Sequence, residues 1–224
     1  MSTQKGNWLE LTAGDGHRFR AYEARPAGAE KGGILVVQEI FGVNNHIRRV
    51  CDDYAAEGYR ALAPALIDRA ERGVELGYDE AGIQRGRAIM SKVGIDDALK
   101  DCAAGLAHLG GDRAAAIVGY CWGGTVAWAA AQRLPVRAAI GYYGGGIANR
   151  LDEPPRAPVL LHFGEKDHAI PLTVAEGVRA RHPGVMVHLY PAGHGFNCDE
   201  RASYDAPSAA TAKRRTLGLL AAAF

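Results

Sequence analysis

The stretch Gly119-Tyr120-Cys121-Trp122-Gly123-Gly124 contains a cysteine that could act as a nucleophile. It follows the apolar run 114–118 and precedes a run of small residues, 125–131, so Cys121 lies at a predicted strand-to-helix turn. The spacing G-x-C-x-G is that of a nucleophile elbow, a sharp turn that exposes its central side chain. A thiolate there would be stabilised by the dipole of the following helix. A buried structural cysteine in a glycine-rich turn would show the same pattern, so this stretch alone leaves both interpretations open.

A carboxylate and an imidazole follow two later predicted strands. Asp167 comes after the apolar run 159–163, and His194 comes after the run 186–190. Because the carboxyl ends of parallel strands meet at one edge of a sheet, we expect both side chains to lie near Cys121. His194 would then take the thiol proton, while Asp167 would fix the tautomer of the imidazole. The order nucleophile, acid, histidine is that of α/β-hydrolases.

Each of these residues also has an ordinary structural interpretation. Asp167 could cap the helix predicted to begin near Pro171, and His194 could be a plain loop residue between two glycines. His168 is a rival base, but its position next to Asp167 should turn it away from the nucleophile. The joint order and placement of the three residues favour a catalytic triad.

Another carboxylate follows the most apolar predicted strand, 33–38. Burying the charge of Glu39 there costs several kcal/mol unless the charge is paired, so we expect a partner or a function for it. A salt bridge to Arg48 or Arg49 would be the structural explanation.

The loop that contains Glu39 is also where such folds supply one amide of an oxyanion hole. The second amide comes from the residue after the nucleophile. These positions assign the backbone N–H groups of Ile40 and Trp122 to the oxyanion hole.

The remaining sequence predicts the elements that position these groups. An N-terminal β-hairpin is expected over 8–12 and 18–24, and strands and helices then alternate. Further strands are predicted at 33–38, 59–63, 114–118, 136–142, 159–163 and 186–190, and helices at 46–57, 79–92, 96–109, 125–131, 172–181 and 207–223. This alternation predicts a single α/β domain over residues 1–224, with a mostly parallel sheet of about eight strands and helices on both faces.

Composition indicates a folded soluble protein and argues against several other classes. The 224 residues are 48% hydrophobic, with a formal net charge of +1. No Lys/Arg-rich run, apolar stretch of membrane-spanning length or N-terminal apolar segment stands out, so we expect no nucleic acid, no membrane and no secretory signal. The four cysteines form neither a C-x-x-C pair nor a zinc-like pattern with histidine. We therefore expect free thiols in a reducing cytoplasm, and neither a metal nor a cofactor.

Five short motifs stand out along the chain. They are Gln38-Glu39-Ile40-Phe41-Gly42-Val43-Asn44, Gly119-Tyr120-Cys121-Trp122-Gly123-Gly124, Gly141-Tyr142-Tyr143-Gly144, Gly164-x-x-Asp167 and Gly193-His194-x-Phe196. Together they resemble the dienelactone hydrolase (carboxymethylenebutenolidase) family, from about residue 10 to the C-terminus. The resemblance implies an enzyme that opens an unsaturated lactone carrying a carboxylate, in the manner of dienelactone to maleylacetate, during catabolism of chlorinated aromatics. It also implies that Cys121 attacks, that His194 is its base and that Asp167 orients the histidine.

The resemblance implies roles for two further residues near the thiol. Glu39 matches a family glutamate that contacts the thiol at rest and helps to generate the thiolate when substrate arrives. Such gating would protect a reactive thiol from oxidation. Tyr143, in the third motif, is expected to contact the substrate.

The family also binds the substrate carboxylate with two arginines, as bidentate recognition favours. Arg85 matches the first, or Arg87 if the alignment slips, although Arg85 could simply be a solvated helix residue. The second arginine falls at Cys198 of this chain, and Arg201 is the residue that could reach in instead. Trp122 replaces a smaller aliphatic residue beside the nucleophile. Both departures affect which substrate is expected.

Three functions are therefore compatible with the sequence. The first is a cysteine-dependent lactone or ester hydrolase that selects a carboxylate. The second is a broader carboxylesterase or thioesterase on the same scaffold, and the third is a catalytically silent binding protein. An intact triad argues against the third, because a protein without catalysis has no physical reason to keep all three groups.

Overall fold

An eight-stranded sheet runs through the protein in the computed structural model, which describes residues 6–112 and 114–224. Its strands are β1 (Asn7–Thr12), β2 (Arg18–Ala24), β3 (Gly33–Val37), β4 (Arg60–Pro64), β5 (Ala115–Tyr120), β6 (Ala139–Tyr142), β7 (Val159–Gly164) and β8 (Met186–Tyr190). Their order across the sheet is β1-β2-β4-β3-β5-β6-β7-β8. β2 pairs antiparallel with β1 and β4, and every other neighbouring pair is parallel. The predicted α/β fold with a mostly parallel sheet is confirmed.

The described residues form six α-helices between and after these strands, and three of the helices begin at a capping side chain. They are α1 (Asn45–Ala56), α2 (Glu80–Met90), α3 (Ile95–His108), α4 (Trp122–Arg133), α5 (Thr173–Arg181) and α6 (Ala206–Ala223). Asn44, Asp79 and Asp205 each accept a hydrogen bond from the backbone N–H three residues ahead, at the starts of α1, α2 and α6. Such caps satisfy N–H groups that the first helical turn leaves unpaired.

Most predicted boundaries lie within one or two residues of the observed ones, and the larger differences are in β6, α4 and two additional 3-10 helices. β6 begins at Ala139 rather than at residue 136, because ladder pairing with β5 and β7 begins only there. α4 is longer than the predicted 125–131 and begins directly after the nucleophile position. Two 3-10 helices, Leu66–Arg69 and Gly145–Arg150, were not predicted.

The centre of the sheet is its most buried part. Every residue of β3 and β5 is buried. This explains their unbroken apolar sequences, because helices cover both faces of the sheet. Each fully buried Val, Leu or Ile side chain contributes roughly 1.5–3 kcal/mol relative to an exposed one. The central strands thereby form a rigid base for the loops that follow them.

Four loops at the carboxyl edge of the sheet contain the candidate residues. Glu39 follows β3, Cys121 follows β5, Asp167 follows β7 and His194 follows β8. Because these strands are parallel, the four loops share one edge, as predicted. In the part of the chain that the structure describes, no helix is long and apolar enough to cross a membrane.

Candidate active site

Cys121 occupies a sharp turn between β5 and α4. Its backbone has φ 56° and ψ −118°, a conformation that residues other than glycine rarely adopt. The flanking glycines allow the close approach that this turn needs. A Cβ at Gly119 would lie 1.9 Å from the carbonyl oxygen of Gly123, and one at Gly123 would lie 2.4 Å from that of Val37. The predicted elbow geometry is therefore present, and it holds the sulfur at the N-terminus of α4.

Cys121, His194 and Asp167 form a continuous hydrogen-bonded series. Nε2 of His194 lies 3.2 Å from Sγ of Cys121, and Nδ1 of His194 lies 2.7 Å from Oδ2 of Asp167. The other Asp167 oxygen, Oδ1, accepts from the N–H groups of Ala169 and Ile170 at 2.9 and 3.2 Å. Asp167 thus orders its own turn and contacts the histidine. It does not cap α5, which begins only at residue 173.

The electrostatics of this series favour a charged pair. Burial lowers the pKa of His194, but the hydrogen bonds to Asp167 and Cys121 outweigh this effect, and the pKa rises to about 10. At neutral pH the imidazole is then protonated, and both of its ring nitrogens are donors. Because a carboxylate only accepts hydrogen bonds, Nδ1–H points to Asp167 and Nε2–H points to the sulfur. The rival base, His168, is exposed and does not line the cavity next to Cys121.

Two backbone N–H groups next to Cys121 have no acceptor. Trp122 is the first residue of α4, so its N–H has no partner within the helix. Within residues 6–112 and 114–224, neither this N–H nor that of Ile40 donates a hydrogen bond. Both residues line the cavity that contains Cys121. These are the two positions that the sequence assigned to an oxyanion hole.

Glu39 is buried in an ion pair with Arg201. Its side chain is 1% exposed, and its Oε1 lies 3.0 Å from Nη1 of Arg201. Its other oxygen, Oε2, has no hydrogen-bond partner among the described residues. The Arg201 guanidinium lies over the rings of Phe41 and Tyr78, 5.8 and 5.7 Å from their centres, a favourable cation–π arrangement.

This pairing corrects two expectations for Glu39. Arg48 and Arg49 do not neutralise it, because Arg48 pairs with Glu75, and Arg49 pairs with two acids that follow Cys198. Glu39 also makes no hydrogen bond to the thiol within the described chain, since the thiol contacts His194 instead. Arg201 attracts the carboxylate, whereas a thiolate would repel it.

Tyr143 lies against the triad histidine. Its ring centre is 5.1 Å from that of His194, and its side chain is buried with φ 41°. Burial and the charge of Glu39 raise the pKa of Tyr143 well above its ordinary value, so the hydroxyl stays protonated. That hydroxyl has no partner among the described residues, although the residue lines the cavity. It is therefore a buried donor without a partner next to the triad histidine.

A cavity of about 570 Å³ opens at Cys121 and His194. One part of its lining is apolar and comes from α2 and the segment that leads into α3. The apolar residues of this part are Ile83, Met90, Val93 and Ile95. Three arginines, Arg87, Arg150 and Arg201, also line the cavity. This volume falls in the range of ordinary small-molecule sites, roughly 300–1,000 Å³.

Arg85 lies outside this cavity, contrary to the expectation from the resemblance. It is exposed and pairs with Glu71, whereas Arg87 lines the cavity. Two residues in a helix differ by about 200° in direction, so Arg85 and Arg87 cannot face the same side of α2. Gly86, between them, is buried against the backbone of Ile40, where a Cβ would lie 2.6 Å from the carbonyl oxygen. The shifted alignment to Arg87 agrees with this geometry.

Sequence reasoning missed Arg150 and Tyr78. Arg150 ends the glycine-rich 3-10 helix, whose sequence has neither helical nor strand periodicity. Tyr78 precedes the capping residue of α2, and its contact with Arg201 joins distant parts of the chain. The position of this tyrosine directly before the capping Asp79 was the one local signal available.

Three potential metal ligands also lie close together outside the cavity lining. Ligand atoms of His46, Cys198 and Asp199 fall within 4.8 Å of one another in the described chain. However, Oδ1 of Asp199 already contacts both His46 and Arg49. Burial, followed by the charge of Glu39, raises the pKa of the Cys198 thiol to about 11, which disfavours the thiolate that a metal needs. We therefore assign no metal to this group.

Comparison with known proteins identifies the family. The family model for the dienelactone hydrolase family matches residues 19–224. The chain belongs to the dienelactone hydrolase family. A Synechocystis member is 36% identical over 199 residues, covering 80% of this chain and 81% of that protein. The carboxymethylenebutenolidase of Pseudomonas putida is 32% identical over 225 residues and 95% of each chain.

A crystal structure from Klebsiella pneumoniae extends the match to three dimensions. The protein in that crystal is 32% identical to this chain, and the two structures superpose with a TM-score of 0.81. The match covers 96% of this chain and 99% of that chain. As a member of the dienelactone hydrolase family with this fold, the protein is a hydrolase.

Proposed function

We propose that the protein hydrolyses a small lactone or ester that carries a carboxylate, with Cys121 as its nucleophile. The observation that carries the proposal is the hydrogen-bonded series from Asp167 through His194 to Cys121, next to a cavity with three arginines. The relatives named carboxymethylenebutenolidase favour an unsaturated lactone, the dienelactone-to-maleylacetate type of substrate. All four cysteines are free, which is consistent with a reducing cytoplasm as the place of action.

The first half of the proposed reaction forms a thioester. The Cys121 thiolate attacks the carbonyl carbon, a C–S bond forms, and the carbonyl π electrons move to oxygen. The N–H groups of Ile40 and Trp122 donate hydrogen bonds to this oxyanion. When the intermediate collapses, the C–O bond of the ester breaks and His194 gives its proton to the leaving oxygen. In a lactone, the leaving group stays attached to the acyl chain.

The second half releases the product. His194, now neutral, takes a proton from water, and the resulting hydroxide attacks the thioester carbon. The C–S bond then breaks, which regenerates the thiolate beside the imidazolium. Asp167 stabilises the charged imidazole in both halves of the reaction.

Glu39 and Arg201 would couple substrate binding to activation. A substrate carboxylate that binds Arg201 competes with Glu39 for the same guanidinium. Glu39, whose second oxygen has no partner among the described residues, would then be released to accept the proton of the Cys121 thiol, which leaves the thiolate that attacks. Tyr143, with its available hydroxyl, would donate a hydrogen bond to the bound substrate.

Hydrolysis of p-nitrophenyl acetate and of a dienelactone by purified protein tests the proposal. Wild type should cleave both, and Cys121→Ala should lose at least about 10³-fold in kcat, as expected when a nucleophile is removed. Cys102→Ala is the matched control, because this thiol is fully buried in α3. Full activity of Cys121→Ala, or inert wild type, would refute the proposal.

A second candidate is a broader carboxylesterase or thioesterase. The apolar part of the cavity favours it, since this surface would bind acyl groups without a charge. Comparing kcat/KM for matched substrates with and without a carboxylate separates the two candidates. A carboxylate-selective enzyme should lose its preference in Arg201→Gln, whereas a broad esterase has no such preference to lose.

A further inference from the structure

Three arginines line the cavity, and the Glu39 carboxylate pairs with one of them, Arg201. No carboxylate lines it within the described residues. Arg201 is paired with Glu39, but Arg87 and Arg150 make no ion pair in the described chain. Arg87 is exposed and Arg150 is half-buried, so both guanidinium groups keep their charge and give the cavity a positive potential that favours an anionic ligand.

Arg150 is held in place through its backbone. Its carbonyl oxygen accepts hydrogen bonds from Nε1 of Trp128 at 3.0 Å and from Nε2 of Gln132 at 2.9 Å. Both donors are buried residues of α4, the helix that begins directly after Cys121. The backbone of Arg150 is thus fixed relative to the thiol, while its guanidinium remains available. Such preorganisation reduces the entropic cost of binding.

Acidic neighbours of Arg150 already have partners. Asp152 pairs with Arg181 at 2.6 Å, and Glu153 lies 3.9 Å from Arg133. These acids share a small adjacent cavity with Arg150 but do not contact its guanidinium within 4.0 Å. Arg150 lines the larger cavity as well, so its charge can meet a ligand there.

We infer that Arg150 is a specificity-determining residue that binds an anionic group on the substrate, separated from the scissile carbonyl by an apolar body. The apolar residues of α2 and the segment before α3 would contact that body. The substrate class is then an ester or lactone of an apolar acid that ends in a second carboxylate. This inference rests on the proposed hydrolase function. It adds an anion site that is separate from the Arg201–Glu39 pair.

The test compares two p-nitrophenyl esters of equal chain length. Mono-p-nitrophenyl suberate ends in a carboxylate, and p-nitrophenyl octanoate is its neutral counterpart. The measured quantity is the ratio of their kcat/KM values, so a general loss of folded enzyme cancels. Arg150→Gln removes the charge and Arg150→Lys keeps it. Arg156→Gln removes the same charge from an exposed residue on the same segment, outside the cavity lining.

Wild type should prefer the suberate ester, and Arg150→Gln should lower the ratio about ten- to a hundred-fold, the range for hydrogen bonds to charged groups. Arg150→Lys should restore part of the preference, and Arg156→Gln should keep it. An unchanged ratio in Arg150→Gln would overturn the inference and leave the hydrolase function standing. Loss of the preference in Arg87→Gln or Arg201→Gln, with the preference kept in Arg150→Gln, would place the anion site at that other arginine and also overturn it. Hydrolysis of neither ester would contradict the hydrolase function itself.

Discussion

Oε1 of Glu39 and Nη1 of Arg201 are 3.0 Å apart, and this pair joins the loop after β3 to the loop that contains His194. The two residues are 162 positions apart in the chain. Glu39 is almost completely buried, so Arg201 is the group that meets its charge. The position of the histidine loop therefore depends on a contact with the loop that follows β3, a central strand of the sheet.

Removing one partner of this pair should destabilise the protein. In Arg201→Gln the Glu39 carboxylate stays buried without a counter-charge, and we expect a loss on the order of 3 kcal/mol in the free energy of unfolding, measured in urea. The double variant Glu39→Gln/Arg201→Gln should recover part of this loss, because no isolated charge remains. Additive effects of the two single variants would show that the pair does not couple the loops.

The contribution of His194 to stability should depend on pH. Its pKa is raised in the folded state from about 6.5 to about 10, so its stabilising contribution is complete below pH 6.5 and is lost as pH rises to about 10. The difference in unfolding free energy between wild type and His194→Gln should therefore shrink from pH 6 to pH 10. His168→Gln changes an exposed histidine outside the cavity lining and serves as the control. A difference that grows with pH would contradict the charged pair.

Alkylation should be selective for Cys121. Its sulfur is partly exposed, whereas the other three thiols, Cys51, Cys102 and Cys198, are buried, and burial raises their pKa. Iodoacetamide at pH 7 should label Cys121 first, as located by mass spectrometry. In His194→Ala the rate should fall, because the sulfur loses its contact with the imidazole. Equal labelling of Cys198 would be inconsistent with the structure.

The glycine that precedes the elbow should not tolerate a methyl group. A Cβ at Gly119 would lie 1.9 Å from a backbone oxygen that cannot move independently of α4, so Gly119→Ala should cost at least about 3 kcal/mol of unfolding free energy. Gly218→Ala is the matched control on α6, where the same Cβ meets no atom within 4 Å. It should stabilise the protein by about 0.5–1 kcal/mol, because alanine is the better helix former. Equal melting temperatures for both variants would refute the prediction.

The parts of the site that follow strands were the most predictable from sequence. Cys121, Asp167 and His194 each come directly after an apolar run, and a parallel sheet brings such positions to one edge whatever their separation along the chain. Strand direction alone was enough for this placement. Local periodicity likewise predicted every strand of the sheet, with small errors at the ends.

The parts that depend on side-chain direction were not predictable. Arg85 and Arg87 are two residues apart, and only the orientation of α2 decides which one reaches the cavity. Arg48 and Arg49 were the candidates to neutralise Glu39, and the partner proved to be a residue far along the chain, Arg201. Arg150 lies in a glycine-rich 3-10 helix that has no periodic pattern. Tertiary packing, rather than local propensity, decides each of these outcomes.

The spacing of 73 residues between Cys121 and His194 has a consequence for protein synthesis. A ribosome that adds roughly 5–20 residues per second completes the elbow several seconds before it adds the histidine. During that interval the nascent chain has a thiol without its activating imidazole. All eight strands, up to the end of β8 at Tyr190, are synthesised before His194. The Cys121–His194 pair therefore cannot form until the whole sheet has been made.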